Sequence, residues 1–188
     1  LPRNKLKLYA CTAIFIGSKI EDYMPPKVRD VIKLADHCWD ASERSFTAKE
    51  LFAAEIDLIN SIDFDATFGT PLFYLTQLMR ISGQTQETLL LARYILELIQ
   101  TDQRFIGMRY SMEAAVAVMV CRILSGETRW NSTLAGYTTF TEEALAEPAR
   151  WVRDILTQSV RLQSKFMKRK YGSDLFKNVA HVKIPSSF

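Results

Sequence analysis

Twice along this chain, a stretch that is apolar on every side of a helix precedes a short helical segment and then a longer one opening on Phe-Thr. The first stretch runs from Leu8 to Gly17, interrupted only by Thr12, and the second from Ala114 to Cys121 without a break. A helix apolar all round has no face to give to water, so both are expected at the centre of a bundle. The two long helices open on Phe46-Thr47 and Phe140-Thr141. Such a recurrence predicts a tandem repeat of one all-helical bundle, the second copy with five helices and the first with only its last three.

Seven Gly and six Pro in 188 residues leave long segments unpunctuated, which suits helices throughout. Tyr23-Met24-Pro25-Pro26 ends the first helix, and Pro26 is placed to open the next, whose stripe is Val28, Val31, Ile32 and Ala35. Thr47 and Glu50 form a capping box for the third, Phe46 can staple onto Leu51, and its stripe continues through Ala54, Leu58, Ile59 and Ile62. Thr70-Pro71 restarts a helix with stripe Leu72, Leu75, Leu78 and Met79, which Ser82-Gly83 breaks. Glu87 to Thr101 carries the next, with Leu91, Ile95 and Leu98 inward. Ser111 is expected to cap the second buried helix, a short piece follows from Trp130 to Tyr137, and the last long helix aligns Val152, Ile155, Ser159, Leu162 and Phe166, with Pro148 bending or trimming its start. The expected division is a first unit over 1–63, a linker over 64–70, a second unit over 71–170 and an irregular tail over 171–188.

Charged residues make up 24% of the chain and its net charge is +3, which excludes a disordered chain and the strongly basic profile of a dedicated nucleic-acid binder. No apolar run approaches the roughly 20 residues of a bilayer span, so no membrane partner is expected. The opening Leu1-Pro2-Arg3-Asn4-Lys5 is neither a signal peptide nor a natural start, and the chain reads as a piece of a soluble protein. Cys11, Cys38 and Cys121 form no CxxC pair, which favours a reducing compartment, cytosol or nucleus. Cys11 and Cys121 lie in apolar runs and read as core residues.

Catalytic chemistry is poorly provided for. The two histidines, His37 and His181, match no distant nucleophile, and no glycine-rich phosphate loop is present. Asp36, His37, Cys38 and Asp40 are metal-ligand types, but neighbours along a helix face different ways and no second cluster completes a set, so neither metal nor cofactor is expected. Glu55 is the anomaly: it sits four after Leu51 and three before Leu58, inside an apolar stripe. Lys19 stands between Ile16 and Ile20 at the end of the first buried helix. Two readings remain open from periodicity alone, a partly buried Lys19–Glu55 ion pair or a charged pair shown to a partner at the lip of an apolar surface.

The run Ala10-Cys-Thr-Ala-Ile-Phe-Ile-Gly-Ser-Lys19-Ile-Glu21-Asp22-Tyr23-Met-Pro25-Pro26 resembles the third helix of the cyclin box. Thr47 to Glu55 looks like its fifth helix, Phe64-Asp65 and Pro71-Leu72-Phe73 like the junction to a second box, and Trp130, Leu134 and Phe140-Thr141 like that box's later helices. The resemblance is to mitotic A/B-type cyclins and covers nearly the whole chain. It implies two tandem cyclin boxes, the first without its first two helices and therefore with core surface uncovered. It also implies a non-catalytic regulatory subunit that binds and activates a cyclin-dependent protein kinase in cell-cycle control, in nucleus and cytoplasm. Kinase substrates or inhibitors are further partners it suggests. Lys19 and Glu55 match the family's kinase-contacting charges, Ile16, Ile20, Ile59 and Phe64 its neighbouring apolar contacts, and Leu8 a supporting core position.

The chain also departs from the family pattern. Ile20 replaces an aromatic, Gly69 stands where Pro is common, and Thr139 where Gly precedes the aromatic-Thr pair, so differently built loops are expected. Lys7 occupies a position where the family often has a Gln of its substrate-docking patch, and weak capture of substrate peptides is expected. The alternatives are a cyclin-box general transcription factor binding DNA and polymerase, or a helical adaptor. The basic cluster Lys165, Lys168, Arg169 and Lys170 is the one feature favouring DNA, and a solvated helix end complementing the helix dipole explains it better.

Overall fold

A computed structural model of the chain describes residues 5–38, 46–66, 69–83, 85–162 and 165–185, with the backbone alone at 38, 158–162 and 165. Among the described residues there are helices and turns and no strand. The helices are α1 Leu6–Glu21, α2 Val28–Cys38, α3 Ala48–Ser61, α4 Pro71–Ile81, α5 Gln86–Ile99, α6 Tyr110–Leu124, α7 Ser132–Thr138, α8 Glu142–Leu162 and α9 Lys165–Tyr171. Short 310 turns occupy Gln103–Phe105, Asp174–Phe176 and Val179–His181. The chain divides into two compact units, Leu1–Phe68 and Gly69–Phe188.

In the first unit α1 packs on α3, and α2 lies against both. Cys11 and Phe15 of α1, Val31 and Ala35 of α2, and Phe46 and Leu51 form its buried centre, with Leu8 packed against it. The start of α3 is built as its sequence requires. The Glu50 N–H donates to the Thr47 hydroxyl at 3.3 Å, and the Glu50 carboxylate accepts the Thr47 N–H at 2.7 Å. Phe46 and Leu51, on either side of that cap, are both buried.

Two expectations for this unit are corrected. α1 is not enclosed all round: Lys7, Cys11, Thr12 and Phe15 are buried, while Leu6, Ala13, Ile14 and Ile20 are exposed. Only α2 and α3 lie against it within the unit, and two neighbours cover one side of a cylinder. Pro26 does not open α2, which starts two residues later. The Lys27 carbonyl accepts its first bonds, from the N–H groups of Asp30 at 2.8 Å and Val31 at 3.2 Å.

The second unit is organised around α6, which packs on α4, α5 and α8. Every residue from Ala114 to Cys121 is 2% exposed or less, so here the enclosed helix is realised. Its start differs from expectation: Arg109, not Ser111, precedes the helix, and it contributes no side-chain cap. The Arg109 carbonyl accepts from Met112 and Glu113 instead, which leaves Ser111 inside the first turn. In α4, capped by Thr70, the residues Leu75, Leu78 and Met79 are buried, but Leu72 in the first turn is exposed. Pro148 lies inside α8 and does not trim it, because the helix already begins at Glu142. Val152 and Ile155 face the core. Ser159 and Leu162 fall outside the described side chains, and Phe166, on the separate α9, is exposed, so the stripe does not run on to it.

The loops at the two departures from family pattern have physical explanations. Gly69 is held against Tyr74, and a Cβ there would lie 2.9 Å from the tyrosine hydroxyl oxygen. Thr139 ends α7 at φ 61, the left-handed conformation that glycine adopts without strain. Beyond α9 the chain does not detach. The Tyr171 hydroxyl donates to Glu97 of α5 at 2.6 Å, Lys170 pairs with the same carboxylate at 2.7 Å, and Val179 is buried.

Candidate functional site

α1 and α3 are tied by polar contacts between their side chains. Lys19 Nζ lies 2.6 Å from Glu55 Oε1 and 4.2 Å from the centre of the Phe15 ring. Phe15 belongs to the buried centre, so the ammonium is held from below by a ring and from the side by a carboxylate. Side-chain exposures of 39% for Lys19 and 19% for Glu55 place the pair at the surface, where such a contact contributes about 0–1 kcal/mol. Farther along, the Tyr9 hydroxyl donates to Asp57 at 3.2 Å, a second tie between the same helices.

Of the two readings of Glu55, the structure shows the ion pair with Lys19. The same helices carry apolar side chains that the unit does not bury. Ile16 and Ile59 are half-buried, Ile20 is exposed, and Phe64 is 74% exposed. Leu8 is half-buried against the unit's buried centre, and Thr47 and Glu50 serve the start of α3. Two residues of this surface escaped the sequence reading, Phe52 and Ile56, both exposed. With Glu55 and Ile59 they follow the spacing i, i+3, i+4, i+7, a second stripe beside the core stripe of α3. That spacing was the signal that could have found them.

Phe64 is held in place by backbone. After α3 the chain passes through Asp63 at φ 50 and Phe64 at φ 59, and the Phe64 N–H donates to the Ile59 carbonyl at 3.0 Å. Consecutive left-handed residues other than glycine cost about 1–2 kcal/mol each, and here the expense displays an aromatic ring to solvent.

Asp36 and His37 are exposed, Asp40 and the Cys38 side chain lie outside the described residues, and no group of metal-ligating side chains occurs among the described ones. Cys11 is buried, and so is Cys121, whose thiol burial pushes up to about 12. No described helix is long and apolar enough to cross a membrane. In the basic cluster Lys170 is committed to Glu97 and the Arg169 guanidinium lies 5.9 Å from the Phe166 ring.

Comparison with known proteins agrees with this architecture. Residues 1–67 match the family model of the cyclin N-terminal domain, and residues 69–185 that of the cyclin C-terminal domain. The chain is 28% identical over 173 residues to a G2/mitotic-specific cyclin-B of Emericella nidulans, covering 92% of this chain and 34% of that protein. It is 29% identical to G2/mitotic-specific cyclin S13-6 of Glycine max over 100% of this chain and 40% of that protein. With G2/mitotic-specific cyclin-B3 of Gallus gallus the identity is 28%, over 95% of this chain and 42% of that protein. The chain thus spans less than half the length of these curated relatives. Two domain models laid end to end, meeting where the chain itself divides into two helical units, show that it belongs to the cyclin family, with its similarity to the G2/mitotic-specific members.

Proposed function

We propose that this chain is a regulatory subunit, without catalysis of its own, that binds and activates a cyclin-dependent protein kinase in cell-cycle control. The surface doing so is the α1–α3 face: Lys19 and Glu55, with Ile16, Ile20, Ile59 and Phe64. By family resemblance it packs on the kinase's mobile helix αC and turns it inward, so that the helix's Glu reaches the phosphate-holding Lys. The observation carrying this reading is the ion pair of 2.6 Å between two helices that leave Ile20, Phe52 and Ile56 exposed, with Phe64 exposed just after α3. Exposed apolar groups on helices joined by a charged pair suit a partner helix of mixed polarity. Its place of action is then the nucleus and cytoplasm.

The test is capture of a purified cyclin-dependent kinase by the chain, followed by phosphorylation of a histone substrate. Lys19→Ala and Glu55→Ala should each weaken capture about tenfold or more with helicity unchanged. The double exchange Lys19→Glu with Glu55→Lys sharpens the result, since it restores the internal pair with reversed polarity. Recovery of stability without recovery of kinase binding is expected. Full recovery of binding would reduce the pair to an internal tie, and a salt-sensitive DNA complex with no kinase response would move the chain to the transcription-factor reading.

A further inference from the structure

In the second unit, the chain from the end of α5 to the start of α6 lines an open cavity of about 250 Å3, whose lining includes Gln100, Asp102, Phe105, Met108 and Glu113. Glu113 is 4% exposed. Its carboxylate has one hydrogen-bond partner among the described residues, the Gln100 side-chain amide, and no cation of those residues pairs with it. The nearby cations are committed elsewhere. Arg104 donates to both oxygens of Asp102, at 2.9 and 2.8 Å, and to the Trp151 carbonyl at 3.3 Å. The Arg109 guanidinium lies 5.2 Å from the centre of the Phe140 ring. Ile106, 84% exposed, and Tyr110, 42% exposed, also line the cavity and so stand at its mouth.

We propose that this cavity is a docking pocket for an arginine side chain on a peptide segment of a partner protein, the guanidinium meeting the Glu113 carboxylate and a neighbouring apolar residue lying on Ile106 and Tyr110. Charge complementarity selects the occupant. A buried carboxylate bonded only to a neutral amide is where an incoming cation gains most, and desolvation has already been suffered in folding. Guanidinium suits it better than ammonium, because it is more weakly hydrated and presents a planar fork to a carboxylate. With the Gln100 N–H spent on Glu113, its carbonyl oxygen remains as a further acceptor. Phe105 and Met108 offer apolar contact to the arginine methylenes. Burial also raises the Glu113 carboxyl, consistent with a carboxylate short of compensating charge.

The test is a backbone-amide NMR titration of the whole chain with the peptide acetyl-Ala-Arg-Phe-Ala-amide, against the same peptide carrying citrulline, a neutral analogue of similar shape. Saturable shifts at Gln100, Ile106, Tyr110 and Glu113 are expected, at least about tenfold weaker with citrulline. Glu113→Gln should lose binding about tenfold with its spectrum otherwise preserved, and Ile106→Ser, at an exposed site, should weaken it severalfold. Equal response to citrulline, unchanged binding by Glu113→Gln, shifts scattered over surface carboxylates, or no shift at all would each overturn the assignment.

Discussion

Thr139 is a β-branched residue in the left-handed region, at φ 61, and its hydrogen bond to Ala135 at 2.9 Å ends α7 there. Glycine at this position removes a conformational cost of about 1–2 kcal/mol and adds back about 0.5–1 kcal/mol of unfolded-state entropy. Thr139→Gly should therefore stabilise the second unit by up to about 1 kcal/mol, read as a small rise in Tm. Glu113 tests electrostatics at the same scale. Burial raises its carboxyl above the unfolded value of about 4.3, with the Gln100 hydrogen bond opposing the shift. Its folded state thus favours the protonated form, and the associated stability is present below that value and lost as pH rises through the folded one. Glu113→Gln, permanently neutral, should match the wild type at pH 3 and exceed it in Tm at pH 7. Equal stability at both pH values would show that the carboxylate carries no burial penalty.

At the scale of elements, α1 and α6 begin as twins in the sequence and end differently. Both are apolar along most of their length, yet α6 meets α4, α5 and α8, whereas α1 meets only α2 and α3 within its unit. The difference predicts opposite responses to the same substitution. Ala117→Leu in α6, at a residue 0% exposed, should cost about 1–3 kcal/mol through overpacking. Ala13→Leu on the exposed side of α1 should change stability by less than about 0.5 kcal/mol. Paired thermal denaturation curves distinguish the two. The long helices α3 and α8 keep their likeness: Phe46 and Phe140 are both buried, and the threonine after each accepts an N–H from three residues on.

Across the whole molecule the two units have unequal interiors. The first is built around Cys11, Phe15, Val31, Ala35, Phe46 and Leu51, while the second encloses a far larger cluster in which Ala114 to Cys121 of α6 are sequestered. Local opening follows buried apolar contact, so amide hydrogens of α1 and α3 should exchange about tenfold or more faster than those of α6. Bound kinase should slow the first unit selectively if the proposed face is correct. Uniform protection of both units would contradict the ranking.

Local chemistry was legible in the sequence wherever it is self-sufficient. The Thr47–Glu50 cap, the Thr70-Pro71 start and the sequestration of Ala114 to Cys121 follow from side-chain hydrogen bonding, fixed backbone angles and helical period, which need no distant partner to be read. The misplacement of Glu55 was visible on the same ground, as a charge out of phase with its stripe. Tertiary structure alone decided that Glu55 meets Lys19, that Ala13, Ile14, Phe52 and Ile56 stay exposed, and that Glu113 is buried beside Gln100. Each depends on which helices pack together and how much of a cylinder they cover, and a one-dimensional period records the direction of a face without recording what lies against it.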